Sequence, residues 1–353
     1  MVFSSLRLQN FRSYTDGLFE FEDGVNIIVG PNGSGKTSVL EALVMLCTGS
    51  SYKAADVDLI RYNHEWARID ATADTDDIRT IKLKQQDQIA DKKYTIQGVE
   101  KVRFMPHYRI PIVLFEPQDM NMVTGEPTLR REFLDTVLGQ VSQNYTQQLK
   151  NYRRVLTQRN TLLKRPFAPK ADELFVWDLR LSELGGFIHT ARKNLLEDFE
   201  KNIQTIYQTI SNKNDLVSVK YSNDSSAEDY TESMLKKLHN NLQKDISRGF
   251  TGTGPHRDDM LLLIQGHDAK AAASRGETRS LLLVLKLLQL QALQLALGQR
   301  PLILLDDVFS ELDGARRQSL ATALKGYQTF ITTTDADLVV DHFIDKAHII
   351  ALG

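Results

Sequence analysis

A glycine-rich segment near the amino terminus constrains the fold of this 353-residue chain more than any other feature. It follows the apolar run from Val25 to Val29, precedes a helical stretch from Ser38 to Leu46, and reads Gly30-Pro31-Asn32-Gly33-Ser34-Gly35-Lys36-Thr37. This matches G-x-x-x-x-G-K-[ST] in the strand, loop and helix context that the motif needs. The glycines allow backbone amides to turn inward around phosphate oxygens, and the helix end adds positive potential. The sequence therefore predicts an α/β fold with an ATP site.

The last residues of this loop carry chemistry of their own. The ammonium of Lys36 can reach the β and γ phosphates of ATP, and the hydroxyl of Thr37 can bind Mg²⁺. We expect Lys36 to act in catalysis, Thr37 to be a metal ligand, and the nucleotide to contact the whole loop and Ser38 after it. A glycine-rich turn without a ligand is the alternative, and the flanking strand and helix argue against it.

A second acidic signal lies far along the chain. The apolar run from Pro301 to Leu305 leads directly into Asp306 and Asp307, which is the Walker B pattern. We expect Asp306 to bind Mg²⁺, directly or through water, and Asp307 to orient or deprotonate the attacking water. An acidic cap on the next helix is the alternative. Because 270 positions separate Lys36 from Asp306, a large insertion must divide the nucleotide site.

The insertion has a helical pattern. Apolar residues recur every three or four positions from Trp177 to Ile210, which predicts one long amphipathic helix, and a preceding helix runs through Phe133 to Leu156. Pro166 and Pro169 separate the two and suggest an antiparallel pair.

The residues outside the insertion alternate like strands. Trp66 to Thr72 and Ile78 to Leu83 predict two strands that pair antiparallel at a sheet edge. We therefore assign residues 1–120 and 249–353 to an ATPase head, and residues 121–248 to an inserted, mainly helical lobe.

Composition limits the partners and the compartment. The formal charge is -2, so a nucleic acid would need a local basic surface or one assembled between subunits. The single cysteine, Cys47, excludes an intramolecular disulfide and fits a reducing compartment. No signal peptide is recognisable, and polar residues interrupt the leucine-rich stretch from Leu281 to Leu297. We expect a cytoplasmic protein that does not span a membrane.

Between the two nucleotide motifs lies Ser274-Arg275-Gly276-Glu277, immediately before that leucine-rich helix. The segment resembles the signature loop of ABC-type ATPases. In that class the serine and the glycine contact the γ-phosphate held by a second subunit, so Ser274 and Gly276 are expected to bind ATP across a dimer. An ordinary helix cap is the alternative.

Taken together, the motifs resemble the RecF family, whose heads are similar to SMC-type ABC ATPases. The resemblance spans the chain, and the segments that carry it are Asn10 to Tyr14, Glu116 to Asp119, Tyr152 to Asn160, Gly254 to Asp259 and Asp306 to Asp313.

The resemblance implies an ABC-type ATPase head, a phosphate-loop sheet with antiparallel edge strands, that carries the inserted helical lobe. It implies a weak, DNA-stimulated ATPase in which ATP joins two monomers head to tail on duplex DNA near single-strand gaps, and slow hydrolysis releases them. RecR is the implied protein partner, with functional links to RecO and to RecA loading in DNA repair and replication. Arg12 would reach the nucleotide, and Gln118 would lie at the Q-loop metal position, with Glu116 and Asp119 as alternatives.

Two departures from the family pattern stand out. Glu277 places a negative charge near the expected γ-phosphate, where a glutamine is expected. The segment from Phe330 to Asp335 has no histidine at the position of the switch residue of ABC transporters, which leaves Thr333, Thr334 or Asp335 as substitutes.

Basic residues supply the candidates for DNA contact, and a solvated surface is the alternative for each. The candidates are Lys53, Arg61, Arg130, Arg131, Arg153, Arg154, Arg159 and Lys164.

Two other functions share these nucleotide motifs. An ATP-binding subunit of another ABC-type system, such as a transporter, would have the same loop and Walker B pair. The inserted helical lobe argues against this alternative. A small-molecule kinase is disfavoured by the signature loop and by the long separation between the two motifs.

Overall fold

The computed structural model describes residues 2–73, 77–165, 171–223, 226–335, 339, 341 and 347–353. The chain divides into two compact units. The first unit comprises Met1–Asp119 and Gln289–Gly353, and the second comprises Met120–Leu288. The first division lies beside the boundary expected at residue 120. The second division, between Leu288 and Gln289, differs from the boundary expected at residue 249. The strand pairing of the second unit, described below, accounts for this difference.

The elements follow one another in the order of the chain. The strands are β1 (Phe3–Phe11), β2 (Tyr14–Glu20), β3 (Val25–Val29), β4 (Trp66–Ala73), β5 (Ile78–Gln86), β6 (Ile89–Ile96), β7 (Val99–Lys101), β8 (Ile112–Phe115), β9 (Val217–Tyr221), β10 (Met260–Ile264), β11 (His267–Asp268), β12 (Leu302–Asp306), β13 (Thr329–Thr333) and β14 (Ala347–Ala351). The helices are α1 (Lys36–Thr48), α2 (Asn121–Thr124), α3 (Pro127–Val141), α4 (Gln143–Leu163), α5 (Ala171–Ser211), α6 (Ala227–Asn240), α7 (Leu242–Arg248), α8 (Ala269–Ala272), α9 (Arg275–Leu297) and α10 (Gly314–Ala323).

A five-stranded parallel sheet forms the centre of the first unit, in the order β14-β3-β13-β12-β8. Strands β12 and β13 are buried along their whole length, as expected of a parallel sheet covered on both faces. Strand β3 leads into the phosphate loop, and β12 ends at Asp306. Since ligands of such sheets bind beyond the carboxyl ends of the strands, this edge is where a nucleotide site is expected.

A six-stranded antiparallel sheet completes the first unit, in the order β2-β1-β4-β5-β6-β7. The predicted pair appears as β4 and β5, joined antiparallel with Ile69 opposite Ile81. Buried and less buried residues alternate along β4, so that one face of this strand packs on the core. The predicted α/β class, a phosphate-loop sheet with antiparallel strands beside it, is confirmed.

Helix α1 follows the phosphate loop and is buried along most of its length. It ends at Gly49, whose φ of 86° is left-handed and suits glycine at a helix end. Cys47 lies in its last turn without exposed surface, and burial raises the pKa of its thiol to about 12.

The second unit is mainly helical and has a small sheet of its own, in the order β11-β10-β9. Strand β10 pairs antiparallel with β9 along its whole length. Residues 249–288 therefore pack with the helical lobe, although we expected them in the head, because β10 completes a sheet that begins at β9.

The long helices of the second unit correspond to the predicted helical pattern. Helix α5 has 41 residues and contains the whole predicted stretch from Trp177 to Ile210. The preceding helix is in fact two, α3 and α4, because Ser142 accepts a hydrogen bond from the amide of Tyr145 and starts a new helix. Pro166 and Pro169, which we expected to separate the helices, lie outside the described residues.

Helix α9 differs from the expectation for its sequence. By length and composition it could cross a membrane, with a mean hydropathy of 1.7, although we expected its polar residues to prevent this. However, 67% of that apolar window is buried inside the protein, which is the environment of a core helix.

Candidate nucleotide site

The phosphate loop has the backbone that its glycines predict. Gly33 and Gly35 have φ values of 85° and 97°, in the left-handed region that favours glycine. A Cβ atom on Gly35 would lie 2.7 Å from the hydroxyl of Tyr14, so only glycine fits there. Beyond Gly33 the space is open, since a Cβ on it would meet no atom within 4 Å. The loop therefore forms a cradle whose open side can accept phosphate groups.

The loop borders a cavity of about 990 Å³, which we call the nucleotide cleft. This is the size range of pockets that bind small molecules and cofactors. The predicted site residues that line it are Arg12, Asn32, Gly33, Gly35, Lys36, Thr37, Ser38, Asp306 and Asp307. Of the remaining loop residues, Gly30 and Pro31 accept hydrogen bonds from the ammonium of Lys36, at 2.6 and 2.9 Å. The ammonium of Lys36 thus lies against the loop.

Thr37 and Asp306 meet across 269 residues of chain. The Thr37 hydroxyl lies 2.9 and 3.1 Å from the two carboxylate oxygens of Asp306. Asp306 is only 6% exposed and also accepts a hydrogen bond from the hydroxyl of Thr332, at 2.8 Å. A hydroxyl and a carboxylate beside a phosphate cradle are the hard oxygen ligands that Mg²⁺ uses together with nucleotide phosphates. The residues present fit Mg²⁺.

Asp307 has a strained backbone at the end of β12. Its φ of 53° lies in the left-handed region, which is uncommon for residues other than glycine and typical of functional positions. Its amide donates to the hydroxyl and the carbonyl oxygen of Thr332. The Ser310 hydroxyl lies 2.7 Å from the carbonyl oxygen of Asp307 and 3.1 Å from its carboxylate, and both can accept from it. These bonds hold the Asp307 side chain at the cleft.

A buried carboxylate organises the wall of the cleft beside α1. Glu41 is 1% exposed and accepts two hydrogen bonds from the guanidinium of Arg12, at 2.9 and 3.0 Å. It accepts a third from the hydroxyl of Ser51, at 2.5 Å. Arg12 also donates to the carbonyl oxygen of Asp58. Glu41 therefore fixes both the hairpin that carries Arg12 and the segment that follows α1.

Comparisons with known proteins assign the chain to a family. The DNA replication and repair protein RecF of Lachnoclostridium phytofermentans is 33% identical over 99% of this chain and 97% of its own length. The protein of that name from Streptococcus pyogenes serotype M49 is 35% identical over 96% of this chain and 93% of its own. The chain belongs to the RecF family. A family model described as an AAA domain also matches residues 5–250, which makes the chain a member of an ATPase family.

Solved structures agree with this membership of the RecF family. A structure of the recombination mediator protein RecF with ATP is 29% identical, has a TM-score of 0.83, and is matched over 95% of this chain and 92% of its own. An SMC head bound to the C-winged helix domain of ScpA has a TM-score of 0.59 at 17% identity, with coverage of 99% and 94%, and it supports the fold alone. The relatives do not favour the transporter alternative.

Two predicted DNA contacts of this RecF family member lie at the nucleotide cleft. The ammonium of Lys53 is 3.3 Å from a carboxylate oxygen of Asp306, and Arg61 lines the cleft. Both were predicted from charge alone, and their partners and neighbours belong to the nucleotide site. Contact of Lys53 and Arg61 with DNA stays a prediction.

Gln118 is not brought to this cleft among the described residues. Its side-chain amide donates to the carboxylate of Glu116, and the carboxylate of Asp119 accepts from the amide of Glu116 at 2.8 Å. The expected Q-loop residues thus bond to one another, and Gln118 as a metal ligand stays a prediction.

The two signature-loop residues belong to the second unit. Ser274 precedes α9, and Gly276 is in its first turn. The amide and hydroxyl of Ser274 donate to the Glu277 carboxylate at 2.9 and 2.8 Å, which is a capping box. Hydrogen bonds from Ser274, and the ammonium of Lys213 at 3.0 Å, lower the pKa of Glu277 to about 2. The unexpected glutamate therefore has a structural role at this helix start.

Two of the arginines predicted to bind DNA are buried in ion pairs. Arg159 is fully buried and donates to Asp178 at 2.5 Å and to Asp245 and Thr251 at 2.8 Å. We call these four residues the arginine cluster.

Arg130 is 5% exposed and forms two bonds, at 2.8 and 2.7 Å, with Asp259. For Arg130 and Arg159 the prediction of DNA contact is wrong, because the carboxylates that neutralise them are already in place and no phosphate can reach them.

The other candidates of the second unit remain accessible to different extents. Arg154 and Lys164 are exposed. Arg153 is exposed and lies 3.3 Å from Asp135. Arg131 is partly buried and donates to the carbonyl oxygen of Asp258 and to Thr128. These four stay predictions for DNA contact.

Sequence reasoning missed three residues that contact the side chains of the nucleotide site. Thr332 bonds to both Walker B residues, Glu41 anchors Arg12, and the ring of Tyr52 lies beneath the ammonium of Lys53 at 5.5 Å from its centroid. Burial raises the pKa of Tyr52, and the carboxylates of Asp306 and Glu116 raise it further. A signal existed for Thr332 alone, since it opens the threonine run that follows the apolar residues Phe330 and Ile331.

Proposed function

We propose that this protein is an ATP-dependent DNA-binding recombination mediator. ATP binding joins two copies head to tail on duplex DNA near single-strand gaps, and slow hydrolysis releases them. The observation that carries the proposal is the meeting of Thr37 and Asp306 beside the strained Asp307, in a chain of the RecF family. Such a site binds and hydrolyses a nucleoside triphosphate, and the family membership supports its use in DNA repair.

The cleft supports a role for each predicted nucleotide contact. Amides of the loop from Asn32 to Gly35 and of the start of α1 surround the phosphates, and Lys36 turns from the loop carbonyls towards the β and γ phosphates. Thr37 and Asp306 hold Mg²⁺, which neutralises charge on the phosphates. Asp307 orients the attacking water, and the Ser310 hydroxyl lies beside both its carbonyl oxygen and its carboxylate.

The signature loop supports a composite site. Ser274 and Gly276 stand at the start of a helix of 23 residues, where amides and the helix dipole favour an anion. In the dimer they contact the γ-phosphate bound by the other copy. The charge of Glu277 does not oppose this strongly, because Lys213 lies beside it.

The remaining basic residues are the DNA candidates. Arg153, Arg154 and Lys164 are exposed on or just after α4, and Arg131 lies on α3. Their charges attract phosphates without reading sequence, which suits a protein that binds duplex beside a gap. DNA bound there stimulates a weak ATPase that acts as a switch.

RecR is the proposed protein partner, and the name of the RecFOR pathway, carried by the related structures, supports this. RecO and RecA are functional links, since the role is to support RecA loading at gaps. The place of action is the cytoplasm.

Mass measurement by light scattering tests the proposal. The protein is measured with ATP, with ADP and without nucleotide, each with and without gapped duplex. We expect a dimer only with ATP, stabilised by gapped DNA. Lys36→Met should abolish the dimer, and Asp307→Asn should prolong it because binding stays intact while hydrolysis slows. A wild-type protein that stays monomeric with ATP and ignores DNA contradicts the proposal.

A further inference from the structure

The carboxylate of Asp306 already has a cationic partner within the chain. A carboxylate that is only 6% exposed needs a compensating charge, since two hydroxyl donors do not neutralise it. Lys36 does not supply that charge, because its ammonium donates to Gly30 and Pro31. Lys53 supplies it, with its ammonium 3.3 Å from one carboxylate oxygen of Asp306.

The same carboxylate is the proposed ligand of Mg²⁺. An ammonium at 3.3 Å and a divalent cation on one carboxylate repel each other and compete for the same oxygen lone pairs. We propose that Lys53 is a tethered counter-ion of Asp306 that leaves the carboxylate when Mg²⁺ binds. This inference rests on the assignment of Asp306 as a metal ligand in the proposed function.

The segment after α1 is built so that the side chain of Lys53 can move while its backbone stays in place. The hydroxyl of Ser51 donates to the buried Glu41 and accepts from the amides of Lys53 and Ala54, at 3.0 and 3.1 Å. These bonds anchor the backbone. The Lys53 side chain is 36% exposed and lies over the Tyr52 ring, so it has a route to solvent.

The competition predicts a gain of metal affinity when Lys53 is removed. Electron paramagnetic resonance with Mn²⁺, which accepts the same oxygen ligands, measures that affinity on the full chain with ADP bound. We expect Lys53→Met to bind Mn²⁺ about three- to tenfold more tightly, as suits a partly buried ion pair. Lys53→Arg keeps the competing charge and should resemble the wild type.

Two control variants make the result specific. Lys93→Met removes a lysine that pairs with Glu100 on the antiparallel sheet, and it should leave Mn²⁺ affinity unchanged. Asp306→Asn should weaken Mn²⁺ binding and make the additional Lys53→Met change silent.

A second measurement follows the lysine itself. The rate at which Lys53 is acylated by a small reagent, measured by peptide mass spectrometry, should rise several-fold when Mg²⁺ is added to the ADP complex. The rate at Lys93 should not change.

Unchanged or weaker Mn²⁺ binding by Lys53→Met overturns the inference, since the lysine would then be neutral or helpful to the metal. Full Mn²⁺ affinity in Asp306→Asn overturns it through the ligand assignment. Neither outcome bears on ATP-dependent dimerisation, which light scattering scores separately.

Discussion

The nucleotide cleft of the first unit and the arginine cluster of the second unit both pair basic side chains with carboxylates. In the cleft, Lys53 meets one carboxylate at 3.3 Å and keeps a third of its side chain exposed. In the cluster, Arg159 is fully buried between two carboxylates at 2.5 and 2.8 Å. The first arrangement allows exchange of partners, and the second does not.

The difference shows that the same types of ion pair can serve stability in one region and ligand binding in another. Removing one member of a buried, hydrogen-bonded ion pair leaves the other charge uncompensated, so the cost appears in folding. Removing a charge beside an open cleft changes ligand affinity more than stability. Substitutions in the two regions should therefore affect different measurements.

The largest effect is expected from Arg159→Met, which leaves Asp178 and Asp245 buried without their cation. We expect a loss of about 3–5 kcal/mol in the free energy of unfolding. The chain has two tryptophans, Trp66 in the first unit and Trp177 in the second, so Trp177 fluorescence in a Trp66→Phe background reports urea unfolding of the second unit.

The matched control for Arg159 is Arg154→Met, an exposed arginine of the same helix. It should change stability by no more than about 0.5 kcal/mol. If Arg159→Met were as stable as this control and lost DNA affinity, Arg159 would serve binding, and the assignment of the arginine cluster to stability would be wrong.

Acid should weaken the second unit through His256. Its Nε2 donates to the carbonyl oxygen of Thr251 and its Nδ1 accepts from the Tyr152 hydroxyl, a neutral ring. Burial lowers the pKa of His256 to about 4, below its ordinary 6.5. The unfolded chain therefore takes up the proton first, and stability should fall by about 2 kcal/mol as pH drops from 6.5 to 4.

His256→Gln keeps a donor and an acceptor but cannot be protonated, so it is the control for this pH dependence. The Trp177 unfolding midpoint of the wild type should fall relative to that of the variant through that pH range. A constant difference from pH 7 to 4 would contradict the lowered pKa of His256 in the folded protein.

In the nucleotide cleft, Thr37→Val should reduce ligand binding more than stability, whereas Arg159→Met should mainly reduce stability. Loss of the hydroxyl should weaken Mg²⁺-dependent ATP binding about tenfold, or about 1.4 kcal/mol. Stability should change by about 1 kcal/mol or less, since Asp306 keeps Thr332 and Lys53. Calorimetric ATP titration with and without Mg²⁺ measures the first effect. Thr37→Ser should restore binding. If Thr37→Val lost as much stability as Arg159→Met, the distinction between the nucleotide cleft and the arginine cluster would not hold.

The smallest effect is expected from Glu277→Gln, because glutamine also completes a capping box. At neutral pH the variant should lose less than about 1 kcal/mol of stability. The pKa of Glu277 is lowered to about 2, so its extra contribution is present above pH 4.5 and lost as pH falls towards 2. Acid unfolding of the two proteins should converge in that window. Equal differences at pH 5 and pH 2.5 would argue that the bonds from Ser274 and Lys213 do not stabilise the charged form of Glu277.

The sequence predicted what depends on neighbours along the chain. The phosphate loop, the Walker B strand and the long helix are local patterns, and each appears where its pattern predicted it. The predicted head boundary at residue 249 was wrong because β10 pairs with β9, a contact between strands separated by two helices.

The roles of basic residues could not be predicted because their partners are remote. Asp245 lies 86 positions from Arg159, Asp259 lies 129 positions from Arg130, and Asp306 lies 253 positions from Lys53. A basic residue in a sequence indicates that an anion will lie near it. The fold determines whether that anion is a phosphate of a ligand or a carboxylate of the protein.

The position of β3 has a consequence for synthesis on the ribosome. This apolar strand lies between β13 and β14, so both of its neighbours emerge after residue 328. Until then a nascent chain presents Val25–Val29 with two unpaired edges, which invites association with other chains or chaperones. The phosphate cradle that follows this strand gains its support only when translation is nearly complete, so a shortened chain should be unable to hold ATP.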